Sequence, residues 1–373
     1  MDFALNAEQE EFQRSLRRFI TERSPLSKVR DVVRTDRGWD EQLWSQMSQQ
    51  LGLPGLLVPE EYGGAGATMI EAALAMQELG RGLVPSPYYA TTAFGVVPIL
   101  EFGTEEQKAK LLPEIASGER TATTALTEPS GLWGPDGVTL RAIAAGDQVT
   151  LTGTKAFVID GHTADSILVV ALAPGEGSEF GWYLVDADAP GLTRTKAETL
   201  DLSRPMATLG FTGTPATPVG APVPWGRVAH VLDVAGTLLA AEMVGGIEAA
   251  MTMSVEYAKV RHQFNRPIGS FQAIKHRAAE MAVELDTSRA AMLYAAYVAS
   301  EGSDELALAA PVAKATAASG FAFTAAWNIQ IHGGIGFTWE HDAHLYFRRA
   351  KADESLLGTV SQYWLELADR VGL

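Results

Sequence analysis

Two stretches carry the residue types best suited to gripping a bulky anion. The first is Tyr257-Ala-Lys-Val-Arg-His-Gln-Phe-Asn-Arg-Pro-Ile-Gly-Ser-Phe-Gln272 and the second is Gln330-Ile-His-Gly-Gly-Ile-Gly-Phe337. Arg261 offers a planar fork of donors for phosphate oxygens, Phe264 an apolar face, and Gln272 an amide that both donates and accepts. Glycines 333, 334 and 336 let backbone N–H groups approach an anion with no Cβ in the way. The first stretch reads as a helix end, a turn at Asn265 and a new helix after Pro267, Gly269 and Ser270. Together the two look like the phosphate and adenosine end of a dinucleotide site. Taken singly, each has a plainer explanation. A glycine run commonly joins two helices, Arg261 is also an ordinary surface cation, and His332 also suits a core or a helix cap.

Composition narrows the partners. The chain has 373 residues, enough for two or three structural regions, and a formal charge of −16 from 29 basic and 45 acidic side chains. That balance argues against nucleic acid and anionic membranes, though local basic groups still decide whether an anionic cofactor binds. There is no cysteine, which excludes disulfides, thiolate metal sites and cysteine nucleophiles. The opening MDFALNAEQEEF is unlike a secretory or mitochondrial leader. The most apolar long run, Val234 to Met251, carries Glu242 and Glu248 and reads as a buried helix. A cytoplasmic protein is expected, with no metal site.

The elements that must position these residues follow from periodicity. Residues 5–23 form an amphipathic helix with Asn6 and Gln9 as a capping box; a second helix spans Glu41–Leu51. The turn-dense Val58-Pro-Glu-Glu-Tyr-Gly-Gly-Ala-Gly66 is no Walker loop and feeds a helix at Met69–Leu79. Thr104 and Gln107 open another helix, expected to stop before Pro113. From Thr121 to about Val228 the chain turns Thr-, Val-, Gly- and Pro-rich, as in a small β-barrel or sandwich. Long Ala-rich helices then fill about 231–262, 270–300, 304–333 and 340–371, as in a four-helix bundle. The expected organisation is α+β and multidomain: an N-terminal helical domain (1–118), a middle β domain (119–229) and a C-terminal helical bundle (230–373).

The joint pattern R-x-x-F-x-x-P-I-x-x-F-Q followed by Q-x-x-G-G-x-G-F resembles the acyl-CoA dehydrogenase family, and the resemblance covers nearly the whole chain. Pro59-Glu-Glu-Tyr-Gly-Gly-Ala-Gly66 and Leu126-Thr-Glu-Pro129 fit it as well. The resemblance implies FAD, an acyl-CoA substrate and an electron-transfer flavoprotein as acceptor. It also implies that Arg261, Phe264, Gln272, Gln330, Gly333 and Gly334 reach a flavin nucleotide held mainly by a neighbouring subunit. Leu126, Thr127 and Phe157 would lie beside a flavin ring, with Thr359 from the C-terminal bundle. The chemistry such a protein needs is a base for the α-proton, a flavin N5 to accept hydride from Cβ, and donors that polarise the thioester carbonyl.

Against the family pattern, three groups are missing. The glutamate of [YF]-E-G-T is replaced by Leu357, and the alternative base position falls near Ala235 and Gly236. The serine expected after L-T-E-P, for the flavin pyrophosphate, is absent from Ser130-Gly-Leu-Trp-Gly-Pro-Asp136. The threonine near N5 is Ile159. The catalytic base is therefore unknown; Asp233 and Glu242 are the nearby carboxylates, each with a structural alternative as helix-end charge or paired acid. Because the losses affect the chain's own cleft and the retained groups face a neighbour, the expectation is a heterotetramer. In it a paralogous, glutamate-bearing subunit does the chemistry, as in actinobacterial lipid- or steroid-degrading members, whose Ala-rich style this chain resembles. A self-sufficient homotetramer with a relocated base and a non-enzymatic scaffold of the same fold are the competing expectations.

Overall fold

The computed structural model describes residues 5–146 and 148–372; residues 1–4, 147 and 373, at which the expected end domains begin and finish, lie outside the described residues. Among the described residues the chain opens with α1 (Ala7–Arg23), α2 (Leu26–Val32), α3 (Glu41–Leu51), α4 (Met69–Arg81), α5 (Tyr88–Thr91), α6 (Val97–Phe102) and α7 (Glu105–Ala116). Strands follow: β1 (Ala122–Ala125), β2 (Ile143–Ala145), β3 (Gln148–Ile159), β4 (Ser166–Leu172), β5 (Phe180–Asp186), β6 (Leu192–Lys196) and β7 (Met206–Val223). Then come α8 (Trp225–Val260), a hairpin of β8 (His262–Gln263) and β9 (Arg266–Pro267), α9 (Gln272–Ser300), α10 (Leu306–His332), α11 (Ala343–Ser355) and α12 (Val360–Arg370).

Contacts gather these elements into two compact units: 1–31 with 69–84 and 236–373, and 32–68 with 85–235. In the first, α1 and α4 join the C-terminal helices, and α10 packs against α9, α11 and α12. Gly80 on α4 and Gly245 on α8 make this possible: a Cβ at either would collide with backbone of the other helix. Arg17 adds a bridge to Glu78 at 2.7 Å and to Glu248 at 2.8 Å. The apolar window of α8 is 83% buried in the chain, and that of Leu306–Phe337 61%; both are long and apolar enough to cross a membrane.

In the second unit, β7 is long enough to serve two sheets. Its first half pairs with β3 and β6, its second half with β5, and β4 links β5 to β1. Both halves send apolar side chains into one core that includes Leu151, Val158, Val169, Tyr183 and Phe211. This is the expected β module, realised as a mixed sheet because β1 runs parallel to β4.

The capping boxes at Asn6/Gln9 and Thr104/Gln107 are both present. Three element boundaries differ from expectation. α7 continues through Pro113 to Ala116; the carbonyl that proline orphans belongs to exposed Ala109, where water can meet it. α8 begins at Trp225 rather than near 231, straight after β7. The last expected helix is two, α11 and α12, because Leu357 and Gly358 both take positive φ (63° and 117°) and Thr359 then starts a new helix as its N-cap.

Candidate functional site

At the end of α8 the chain makes a tight β8–β9 hairpin whose two corner residues, Phe264 and Asn265, have φ of 53° and 59°. Asn265 suits that left-handed conformation; a phenylalanine does not, and the ring it carries is 86% exposed. Strain and exposure together mark a side chain aimed outward for contact. Phe264 stands edge-on to Phe271 at 6.2 Å, while the Arg266 guanidinium lies 4.0 Å over Phe271. Ile268, Ile274, Tyr257 and Trp327 pack with Ala258, Met281 and Ile331, which joins the hairpin to α8, α9 and α10.

That cluster brings the two sequence stretches together. Gln330 lies exposed near the end of α10, and Gly333 leaves the helix with φ 67°. A Cβ on Gly333 or Gly334 would meet nothing within 4 Å, so both backbones face open space. Arg261, Gln272 and Gln330 are all exposed, and none of their side chains bonds to another described residue. Phe337, 70% exposed, extends the apolar margin.

At the position expected for a base, Leu357 is 5% exposed and left-handed. Its turn is held from below by Lys314, a fully buried lysine on α10 that donates to the Gly358 carbonyl at 2.5 Å and the Glu354 carbonyl at 3.2 Å. Burial lowers this ammonium to about 8, against the opposing pull of Asp353 and Glu354. Thr359 spends its hydroxyl on the cap of α12, accepting from the Gln362 N–H. Glu242 is a paired acid: its carboxylate meets Arg349 at 2.5 Å with both side chains buried. Asp233 is buried, and the neighbouring Ala235 carbonyl accepts from the Tyr89 hydroxyl.

In the β-containing unit, Leu126 and Thr127 are buried. The Thr127 hydroxyl donates to the Ala156 carbonyl at 2.6 Å, and the Ala156 N–H returns a bond to the Thr127 carbonyl. Lys155 reaches beneath them, donating to the Leu126 carbonyl (2.8 Å) and to Glu128 (3.0 Å). Glu128 also accepts from the Thr139 and Leu140 N–H groups. Burial lowers the Lys155 ammonium to about 8, opposed by Glu128. Phe157, with φ 56°, leaves its ring 47% exposed beside this segment, and Ile159 is buried. Half-buried Trp133 occupies the segment where the serine was expected.

Sequence reasoning missed the two buried lysines and a row of neighbouring rings, Tyr257, His332 and His341, with His344 edge-on to Trp339 close by. A lysine inside the alanine-rich face of α10 was the available signal for Lys314. The histidines gave none, because they meet only once α10 and α11 are folded back on α8.

The acyl-CoA dehydrogenase N-terminal domain family matches residues 6–119 and the acyl-CoA dehydrogenase C-terminal domain family residues 225–371. The acyl-CoA dehydrogenase IpdE2 of Mycobacterium tuberculosis is 35% identical over 88% of this chain and 86% of its own. Among solved structures, a variant of the steroid ACAD Tcur3481-Tcur3483 superposes with a TM-score of 0.89 at 33% identity, over 98% of this chain and 97% of that one. The ChsE4-ChsE5 complex of Mycobacterium tuberculosis gives 0.91 at 26% identity, over 100% and 99%. The chain belongs to the acyl-CoA dehydrogenase family, whose members are FAD-dependent oxidoreductases. The residues present fit that cofactor unevenly. Exposed Arg261, Gln272 and Gln330, the open glycine backbone and the projecting Phe264 ring suit a nucleotide, whereas the segment around Trp133 offers a flavin pyrophosphate an indole in place of a hydroxyl.

Proposed function

We propose that this chain is the base-less subunit of a hetero-oligomeric acyl-CoA dehydrogenase and completes the FAD site of a glutamate-bearing partner. The observation that carries this reading is the contrast between Leu357, an aliphatic side chain buried where a carboxylate is needed, and Arg261, Phe264, Gln272, Gln330, Gly333 and Gly334, all exposed and open to a ligand. Arg261 would bind nucleotide phosphate as a fork of donors, the glycine turn would offer backbone N–H groups, and Phe264 would cover an apolar face of the nucleotide. FAD supplies the hydride acceptor, and the base comes from the partner. Relocating the base to Glu242 is disfavoured, because that carboxylate already neutralises buried Arg349.

In this reading Leu126, Thr127 and Phe157 would lie beside a flavin ring, with the Leu126 carbonyl held by Lys155, and Thr359 would be a further flavin contact. The three-part division at 118 and 229, an acyl-CoA substrate, an electron-transfer flavoprotein as acceptor and a cytoplasmic location complete the proposal. The named heteromers among the similar structures support it.

The test is flavin absorbance per mole of purified protein. The chain alone should hold little FAD, and mixed with the product of a neighbouring paralogous gene it should give a complex with fewer flavins than chains. One FAD per chain in a pure homo-oligomer that oxidises an acyl-CoA would overturn the proposal.

A further inference from the structure

The glycine turn after α10 is supported from beneath by a row of rings. Tyr257 of α8 lies 4.2 Å from His332, the last residue of α10, and His332 lies 4.2 Å from His341 in the loop before α11. Gly336 sits so close that a Cβ on it would stand 3.1 Å from the Cβ of His332. His344, in the first turn of α11, is buried with its ring 4.5 Å from Trp339.

The partners of these rings set where their protons are. The Nδ1 of His332 lies 2.8 Å from the Asn328 carbonyl, which can only accept, so Nδ1 carries the hydrogen. Its Nε2 is buried with no hydrogen-bond partner among the described residues. The reverse holds for His341, whose Nδ1 accepts from the Ala343 N–H at 3.1 Å and must therefore be bare. A proton added to His332 would put a buried N–H where nothing accepts it, and a proton added to His341 would set two donors against each other at the start of α11. Both nitrogens of His344 are buried without partners among the described residues.

We propose that His332 and His341 are positioning residues of the nucleotide-facing turn, and that they hold residues 333–342 in place only while both imidazoles are uncharged. This rests on the reading of that turn given above. The charged groups around the rings do not rescue the protonated forms. Among the described residues His332 faces His341 and the uncharged Tyr257; His341 faces Asp342 and Arg30 of α2; His344 faces Arg348 and Arg30 as well as Asp342 and His341. Asp342 is already bound by Arg30 at 2.6 Å, and Arg30 also donates to the Trp339 carbonyl. Burial accordingly pushes all three imidazoles below their ordinary range.

The experiment is hydrogen exchange of residues 333–343 in the full chain, without flavin or partner, at about pH 7.5 and about pH 5.5, with the intrinsic pH effect divided out. Wild type should lose protection by about tenfold or more in acid. His341→Asn should lose clearly less than wild type, because an amide oxygen accepts from the Ala343 N–H at either pH and only His332 is left to protonate. Equal protection at both pH values in wild type, or the same acid loss in His341→Asn, would overturn the proposal. Should that variant not fold, histidine ring-proton NMR on wild type decides: protonation of His332 and His341 must coincide with opening of the turn, and protonation without opening refutes the idea. Because no flavin or partner is present, the outcome does not depend on whether the chain completes a partner's site; that reading fails separately, in the flavin count.

Discussion

Leu357 concentrates two opposing effects in one side chain. A left-handed φ of 63° costs a non-glycine residue about 1–2 kcal/mol, while removing a buried leucine side chain costs about 2–5 kcal/mol. Burial wins, so Leu357→Ala should destabilise the fold by about 2–4 kcal/mol. Leu357→Gly should cost about 1 kcal/mol less than the alanine change, since glycine escapes the backbone strain. Denaturant melts of the two variants give the comparison, and a glycine variant no better than alanine would show that the turn is unstrained. Arg261 makes the opposite kind of prediction. Exposed and unpaired among the described residues, it should be replaceable by alanine with a change in stability within about 0.5 kcal/mol. FAD retention in the complex should nevertheless fall, because a charge-assisted phosphate contact is lost. Unchanged retention would remove Arg261 from the site.

At the level of elements, the same device appears in each compact unit. Lys155 on β3 and Lys314 on α10 each bury an ammonium against a backbone carbonyl, and burial lowers both to about 8. An unfolded lysine titrates at ~10.4, so between these values the unfolded chain holds the more protons. Stability should therefore rise as pH climbs from about 8 towards ~10 and be lost as pH falls back through about 8. Above ~10 the buried hydroxyls of Tyr88 and Tyr346, pushed up by desolvation, act the other way. Urea midpoints across this range should show the rise and a shallower slope in Lys155→Met; a flat wild-type profile would contradict it. Capping residues were the most legible feature at this scale, as Asn6/Gln9 and Thr104/Gln107 show, because a cap is a local bond between residues three apart. The break between α11 and α12 was not legible. Ser-Leu-Leu-Gly has no helix-stopping residue before Gly358, and it is Leu357 that turns left-handed, with the Gly358 carbonyl beside it held by a lysine forty-four positions away.

For the whole molecule, the order helix, sheet, helix could be read from changes of hydrophobic period, and the set proposed to face a nucleotide was singled out from two spaced motifs. The grouping in space could not. Helices α1 and α4 join the C-terminal bundle, while α3, α5, α6 and α7 join the strands, and close approaches such as Gly80 to Gly245 have no sequence periodicity to announce them. The count of flavins against chains is the prediction at this scale, because it depends on which surfaces are shared between subunits and not on any one residue. With a net charge of −16, exposed Arg261 could serve a phosphate locally without making the protein a general anion binder.

The bend at 356–359 has a consequence for descent. Its left-handed corner, its lysine strut and the threonine that restarts the chain as α12 are all still in place around an inert side chain. Reinstating an acid there would need one residue to change and no backbone to be rebuilt. Under the proposed reading, a copy of this chain would stand a single substitution from carrying a carboxylate at that corner.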